Sequence, residues 1–267
     1  MFTFSVRFPF LISLISLIQS PAIATSDCLC FPGDSCWPSP AQWTAFNQTV
    51  GGRLIATTPI ASACHTSDGF EAYSASACHT LRANWNFPQT HYESSSSILS
   101  DFYANQSCDA FVDPATRCII GTYVQYSVRA ESALDVQKTM AFTTAHGIHV
   151  VIRNTGHGYL GKSTGAGAVA IWTHHLKDIE FLDYQSSFYT GKAIKVGAGV
   201  QMFESNAAAY KHGLTVVGGN CRSVGLAGGY SQGGGHGQLV SQYGLAADRV
   251  LEWEVFNGTG KLVSITP

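Results

Sequence analysis

Charge is scarce in this 267-residue sequence: 12% of the residues are charged, 15 basic against 17 acidic, for a formal net charge of −2. The basic residues are scattered, so no stripe or cluster offers the electrostatic footprint that nucleic acid or an anionic lipid surface requires. A small-molecule partner is the expectation that remains. Long apolar runs are also missing, since a membrane-spanning helix needs about 20 consecutive apolar residues. The longest run lies within residues 1–24, where Arg7 precedes an apolar stretch and Ala22-Ile23-Ala24 supplies small residues for cleavage. That arrangement is the pattern of a secretory signal and predicts a secreted chain whose mature form starts near Thr25, with no membrane anchor. No internal repeat and no low-complexity linker is present. The G-x-G-x-x-G fingerprint is absent in its strand-to-helix setting, which argues against a Rossmann nicotinamide site.

Cysteine is present but unevenly placed. Of eight, Cys28, Cys30, Cys36, Cys64, Cys78, Cys108 and Cys118 precede the glycine-rich half, and Cys221 stands inside it. In an oxidising compartment the first seven read as disulfide partners. A metal site is the rival reading, because Cys28 and Cys30 are close and His65 and His79 each follow a cysteine. No two-plus-two zinc spacing supports it, and no metal is expected. Seven is odd, so one cysteine stays free, pairs with Cys221 or finds a partner outside the chain. Sequons at Asn47, Asn105 and Asn257 fit a secreted glycoprotein.

Residues 25–117 read as a cysteine-rich N-terminal extension with turn signals at Pro32-Gly33-Asp34 and Pro38-Ser39-Pro40. Residues 118–267 are more regular. Periodicity predicts a strand over 122–128, a helix over 132–146 and a short buried strand over 149–153. Further strands are expected over 168–172, 179–182 and 193–196, then a helix over 202–211 stopped by Gly213. Strands over 248–256 and 261–265, joined by Asn257-Gly258-Thr259-Gly260, form a closing hairpin.

The buried strand at 149–153 runs into Arg153-Asn154-Thr155-Gly156-His157-Gly158-Tyr159-Leu160-Gly161. Glycines after a strand let several backbone N–H groups converge on one anion, which is diphosphate chemistry. Arg153 would reinforce the charge, and the helix after Gly197-Ala198-Gly199 would offer further amides. A single such loop is most simply a tight turn, but another glycine cluster spans 225–237. His157 and Cys221 place an imidazole and a thiol inside these segments, and either is a competent nucleophile once positioned and deprotonated. On spacing alone, a loop histidine bonded to a carbonyl and an ordinary disulfide or buried thiol are the simpler readings.

The segment 153–161 resembles the R-x-x-G-H-x-x-x-G diphosphate loop of berberine bridge enzyme-like flavoproteins, within the vanillyl-alcohol oxidase and p-cresol methylhydroxylase superfamily. Gly219-Asn220-Cys221-Arg222-Ser223-Val224-Gly225, continuing through Gly228-Gly229-Tyr230-Ser231-Gln232-Gly233-Gly234-Gly235-His236-Gly237, resembles the second flavin segment of the same family. The resemblance covers roughly Arg117 onward. It implies an α+β, p-cresol methylhydroxylase-type FAD-binding domain of two small α/β subdomains. His157 matches the histidine joined to the flavin 8α-methyl carbon and Cys221 the cysteine joined to C6 in bicovalent members. Arg153, Asn154, Thr155, Gly156, Tyr159 and Gly161 match the diphosphate loop, and Val224, Gly225, Gly228 and Gly235 the wall along the flavin.

The sequence departs from the family at Gly158, where an acidic residue is frequent, and in a glycine cluster one residue longer. It stops at Thr266-Pro267, before the family's substrate domain and catalytic base. The resemblance therefore implies an FAD-linked oxidoreductase of specialised metabolism, passing hydride from an alcohol, amine or alkaloid-type donor to flavin and then to O2. The chain as it stands is expected to lack the substrate domain, to bind FAD weakly or not at all and to be inactive alone, and no catalytic acid or base is assigned. The alternatives are a non-catalytic flavin-binding remnant, an incomplete gene product, or an ergot-alkaloid-type oxidative cyclisation enzyme.

Overall fold

The computed structural model describes residues 28–66, 70–104 and 106–267. The expected signal over 1–24 and the sequon asparagine Asn105 lie outside the described residues. In chain order the main elements are α1 (Pro40–Thr49), β1 (Leu54–Ala56), α2 (Ala75–Asn84), α3 (Pro88–Tyr92), β2 (Tyr126–Arg129) and α4 (Ala133–Ala145). There follow β3 (Val150–Arg153), β4 (Val169–Trp172), β5 (Ile179–Gln185), β6 (Thr190–Val196), α5 (Met202–Tyr210), α6 (Gly229–Gln232), α7 (Val240–Tyr243), β7 (Trp253–Phe256) and β8 (Leu262–Ile265).

One mixed sheet, ordered β1-β2-β4-β3, anchors the molecule, with β2, β4 and β3 parallel and β1 antiparallel at the edge. Every residue of β4, Val-Ala-Ile-Trp, is buried, as a central parallel strand requires. Helix α4 starts where Ser132 and Asp135 form a reciprocal capping box and stops before Gly147, whose φ of +63° ends the helical path. Helices α1 and α4 meet through Phe46 and Phe142, stacked at 4.2 Å. Trp43 and Val50 pack with Val128, Ile148 and Val169 in the same core.

The cysteine-rich segment is woven into this sheet. Strand β1 pairs with β2, and Ser127 Oγ donates to the Ser95 carbonyl at 2.8 Å. Disulfides Cys64–Cys78 and Cys108–Cys118 sit in a second small core with Ile98 and Tyr123, and Cys30–Cys36 closes a short loop. Cys28 and Cys221 are free, so the odd cysteine is Cys28 and it does not pair with Cys221. His65 approaches the Cys108–Cys118 sulfurs, but both its ring nitrogens face carbonyls, those of Thr116 at 2.7 Å and Asp109 at 3.0 Å.

Several boundaries differ from expectation. Strand β2 starts at Tyr126 rather than 122 because Gly121, at φ +55°, turns the chain just before it. The strands expected over 179–182 and 193–196 are parts of one longer hairpin, β5 with β6, which continues through residues 183–185 paired with 190–192, where Asp183, Gln185, Thr190 and Lys192 are exposed. Residues 247–249 are a 3-10 turn rather than strand, held by Asp248 Oδ2 accepting from the Leu245 amide at 2.7 Å and Arg249 Nε donating to the Tyr243 carbonyl at 2.6 Å. Among the described residues no helix is long and apolar enough to cross a membrane.

The junction of β1 with α4 carries a pH-sensitive contact. Asp135, 1% exposed, accepts from the Arg53 guanidinium, from the Glu131 and Ser132 amides, each at 3.1 Å, and from Ser132 Oγ at 3.0 Å. Burial pushes its carboxyl up, but these donors outweigh burial and hold it below the ordinary value of 3.8. A depressed folded-state pKa stabilises above the unfolded value and is lost as pH falls through the folded one. The thermal midpoint is therefore expected to fall in acid below pH 3.8. Asp135→Asn should lower stability by about 1–3 kcal/mol at neutral pH and flatten that acid limb. A calorimetric pH series in which variant and parent decline in parallel would refute the assignment.

Candidate functional site

The glycine loop after β3 emerges at the C-terminal end of the parallel strands, where open α/β sheets place their ligands. The 3-10 turn after β4 (Thr173–His175) packs beside it and fixes its start. Trp172 Nε1 donates to the Asn154 carbonyl at 3.1 Å and Thr173 Oγ1 to the Arg153 carbonyl at 3.3 Å. Asn154 Nδ2 donates to the Ala198 carbonyl at 2.9 Å, and its Oδ1 accepts from His174 Nδ1 at 3.2 Å. Burial, then the charges of Lys177, His175 and Arg153, hold the His174 pKa down to about 4, so it stays neutral and in the donor tautomer that orients Asn154.

Asn154 is also why position 225 is glycine: a Cβ there would lie 2.2 Å from Asn154 Nδ2. The second segment is stitched to the start of α5. Met202 N donates to the Val224 carbonyl at 2.9 Å, Phe203 N to the Arg222 carbonyl at 3.0 Å, and the buried Gln201 Nε2 to the Ser223 carbonyl at 3.0 Å. Gly228 starts the short α6 and the buried Gly235 follows it, packed on Ala246.

These contacts bring the two nucleophiles together although 64 residues separate them. Cys221 Sγ lies 4.0 Å from His157 Nε2, and Ser223 Oγ closes a triangle with them, 2.9 Å from the imidazole and 3.5 Å from the sulfur. Cys221 is exposed; His157 is half-buried, and burial lowers its pKa, which keeps the imidazole neutral near pH 7. Among the described residues, the amides of residues 155–160 and 218–223 donate to no acceptor within the protein. Thr155 and Gly156 are themselves buried, and buried N–H groups are almost always paired. Two strips of unclaimed donors beside an imidazole and a thiol fit the anionic middle and the electrophilic ring of a flavin nucleotide.

Arg153 departs from its expected role of facing an anion in the loop. Its side chain turns back under the sheet and is 1% exposed, donating to the carbonyls of Ser94 at 2.7 Å, His91 at 2.9 Å and Ser97. Burial lowers its pKa to about 9, which leaves it cationic at neutral pH. It supports the loop from behind, because carbonyls of the cysteine-rich segment offer the acceptors an interior guanidinium needs. Tyr159 is 82% exposed at the loop tip, its carbonyl accepting from Tyr103 Oη at 2.5 Å, and Gly161 packs on the Tyr103 ring. Ser223, His174 and Gln201 are site residues that periodicity and spacing did not single out. A cleft of about 770 Å³ lies elsewhere, lined by Thr80, Asn84, Phe87 and Thr90 among others, and holds neither nucleophile. The functional site is thus located by its chemistry and not by volume.

Residues 124–266 match the family model described as FAD binding domain. Among curated proteins the chain is 52% identical to the FAD-linked oxidoreductase sor8 of Hypocrea jecorina, over 96% of this chain and 45% of that protein. It is 50% identical to the FAD-linked oxidoreductase patO of Penicillium expansum, over 96% of this chain and 44% of that one. Among solved structures, a VAO-type flavoprotein from Myceliophthora thermophila superposes with a TM-score of 0.87 at 46% identity, covering 90% of this chain and 44% of its own. The chain spans a little under half the length of these relatives. It belongs to the FAD-binding family of vanillyl-alcohol oxidase and p-cresol methylhydroxylase type, in the company of the berberine bridge enzyme-like oxidoreductases.

Proposed function

We propose that this chain holds FAD for a secreted oxidoreductase of fungal specialised metabolism, with His157 and Cys221 as attachment points for the flavin 8α-methyl carbon and C6. The observation that carries the reading is the 4.0 Å approach of two side chains 64 residues apart, at the meeting of two strips of unpaired amides. In this reading the amides of 155–160, with Asn154, Thr155, Gly156, Tyr159 and Gly161, hold the diphosphate, and Val224, Gly225, Gly228 and Gly235 line the ring. Arg153 keeps the first strip in place from beneath. Bound FAD would supply the two-electron acceptor for hydride leaving an alcohol, amine or related C–H donor, with O2 as terminal acceptor. The oxidoreductase assignment is supported by the names of the relatives above, and secretion by the three disulfides. The proposal extends to glycans at Asn47, Asn105 and Asn257. Asn257 is exposed at the tip of the β7–β8 hairpin, its Oδ1 accepting from Thr259 Oγ1 at 2.7 Å.

The test is protein made in a eukaryotic secretory host, saturated with FAD, precipitated with acid and digested. The pellet should stay yellow, and the flavin-bearing peptides should contain His157 and Cys221. A colourless pellet with both residues unmodified would remove the attachment reading.

A further inference from the structure

Ser223 joins the two nucleophiles. It is 4% exposed, and its Oγ lies within reach of both His157 Nε2, at 2.9 Å, and Cys221 Sγ, at 3.5 Å. Among the described residues His157 Nδ1 has no protein partner. The sulfur also lies 4.0 Å from Nε2, so the three atoms form a triangle. A hydroxyl has one proton to give and lone pairs to accept with, and two protonation patterns along the oxygen side of that triangle bear on bonding. In the first, Cys221 S–H donates to Oγ and Oγ–H donates to Nε2. A neutral imidazole then carries its proton on Nδ1 and the sulfur is a thiol, so both bonding positions are blocked. In the second, Nε2–H donates to Oγ and Oγ–H donates to a Cys221 thiolate. Nδ1 then keeps its lone pair and the sulfur is an anion, so both positions are open. Passing from the first to the second moves the sulfur proton to Oγ, the Oγ proton to Nε2 and the Nδ1 proton to solvent, with one proton released in all.

We infer that Ser223 is a positioning residue that couples the protonation of His157 to that of Cys221, so that Nδ1 and Sγ become available for bonding together. The inference rests on reading His157 and Cys221 as flavin attachment points. Burial of His157 supports it by disfavouring the imidazolium, in which neither nitrogen has a free lone pair.

Ser223→Ala and Ser223→Thr, compared with the unaltered chain, test this in two ways. Nitrogen chemical shifts of labelled histidine in the flavin-free protein report the His157 tautomer, and peptide mass after timed exposure to FAD reports attachment at His157. Across a pH series the unaltered protein should pass from the Nδ1–H to the Nε2–H tautomer as pH rises, since the second pattern holds one proton fewer. Ser223→Ala should show a tautomer mixture and attach flavin about tenfold more slowly, the worth of one ordinary hydrogen bond, and Ser223→Thr should restore both. A tautomer in the unaltered protein that stays the same across the pH series overturns the inference, and so does Ser223→Ala with unchanged tautomer and rate. If the unaltered protein takes up no flavin on either residue, the attachment reading fails separately. The tautomer comparison still decides the role of Ser223, and if Ser223→Ala does not fold, the unaltered protein and Ser223→Thr decide it.

Discussion

Protein carrying His157→Ala and Cys221→Ser together is expected to surrender all of its flavin to acid or denaturant. His157→Ala alone should keep flavin through sulfur only, and Cys221→Ser alone through the imidazole only. In the proposed site the loops hold the diphosphate through amides that neither substitution removes, so the double variant should still bind FAD, weakly and reversibly, and release it on dialysis or unfolding. The effect is all-or-none because a covalent bond survives unfolding while a set of hydrogen bonds each worth about 1 kcal/mol does not. Absorbance of the acid pellet and intact mass check each variant. Acid-stable flavin in the double variant would mean that attachment lies at another residue.

Arg153→Ala carries the largest expected cost in stability. The guanidinium fills an interior space, satisfies carbonyls at positions 91, 94 and 97 and lies 5.7 Å over the Trp172 ring. Removing it strips the Ser94 and Ser97 carbonyls of their donor, leaves the His91 carbonyl with the Ser94 amide alone and opens a cavity, a loss of about 3–5 kcal/mol. For a protein of this size the thermal midpoint should drop on the order of 10 °C. Arg153→Lys keeps the charge but not the planar fork, and should fall between parent and alanine variant. Urea unfolding gives the comparison directly. A midpoint within error of the parent would mean that the carbonyl cage contributes nothing.

Flavin affinity should follow the same substitution, because the first amide strip begins two residues after Arg153. The chain just past the 91–97 segment meets that strip again where Leu99 N donates to the Gly156 carbonyl at 3.2 Å. Loss of affinity in Arg153→Ala without loss of attachment in the survivors would separate support from chemistry.

What the sequence made legible was local. Ser132 and Asp135 announce α4, the unbroken apolar run announces β4, and Asn257-Gly258 announces the closing hairpin, each through contacts within a few residues. The nucleophiles His157 and Cys221 were legible through motif likeness, and their proximity follows from the stitching of the second segment to α5. What stayed hidden depends on partners far along the chain. Strand β1 is three residues long and owes its existence to β2, some 70 positions later. Arg153 turns inward because carbonyls about 60 residues earlier wait for it, which no periodicity encodes. Ser223 looks like any polar loop residue until the fold sets an imidazole beside it.

The disulfides span only 6, 14 and 10 residues, whereas the sheet that the same segment enters closes over a far longer stretch. Loops that short can close on a nascent chain before β2 has been synthesised, since closure entropy grows with length. Oxidation can thus come first and tie the stretches on either side of the carbonyl cradle at positions 91–97, with Arg153 arriving later as its plug. Synthesis in a reducing compartment would remove that order of assembly and leave the flanks of the cradle untied when Arg153 arrives.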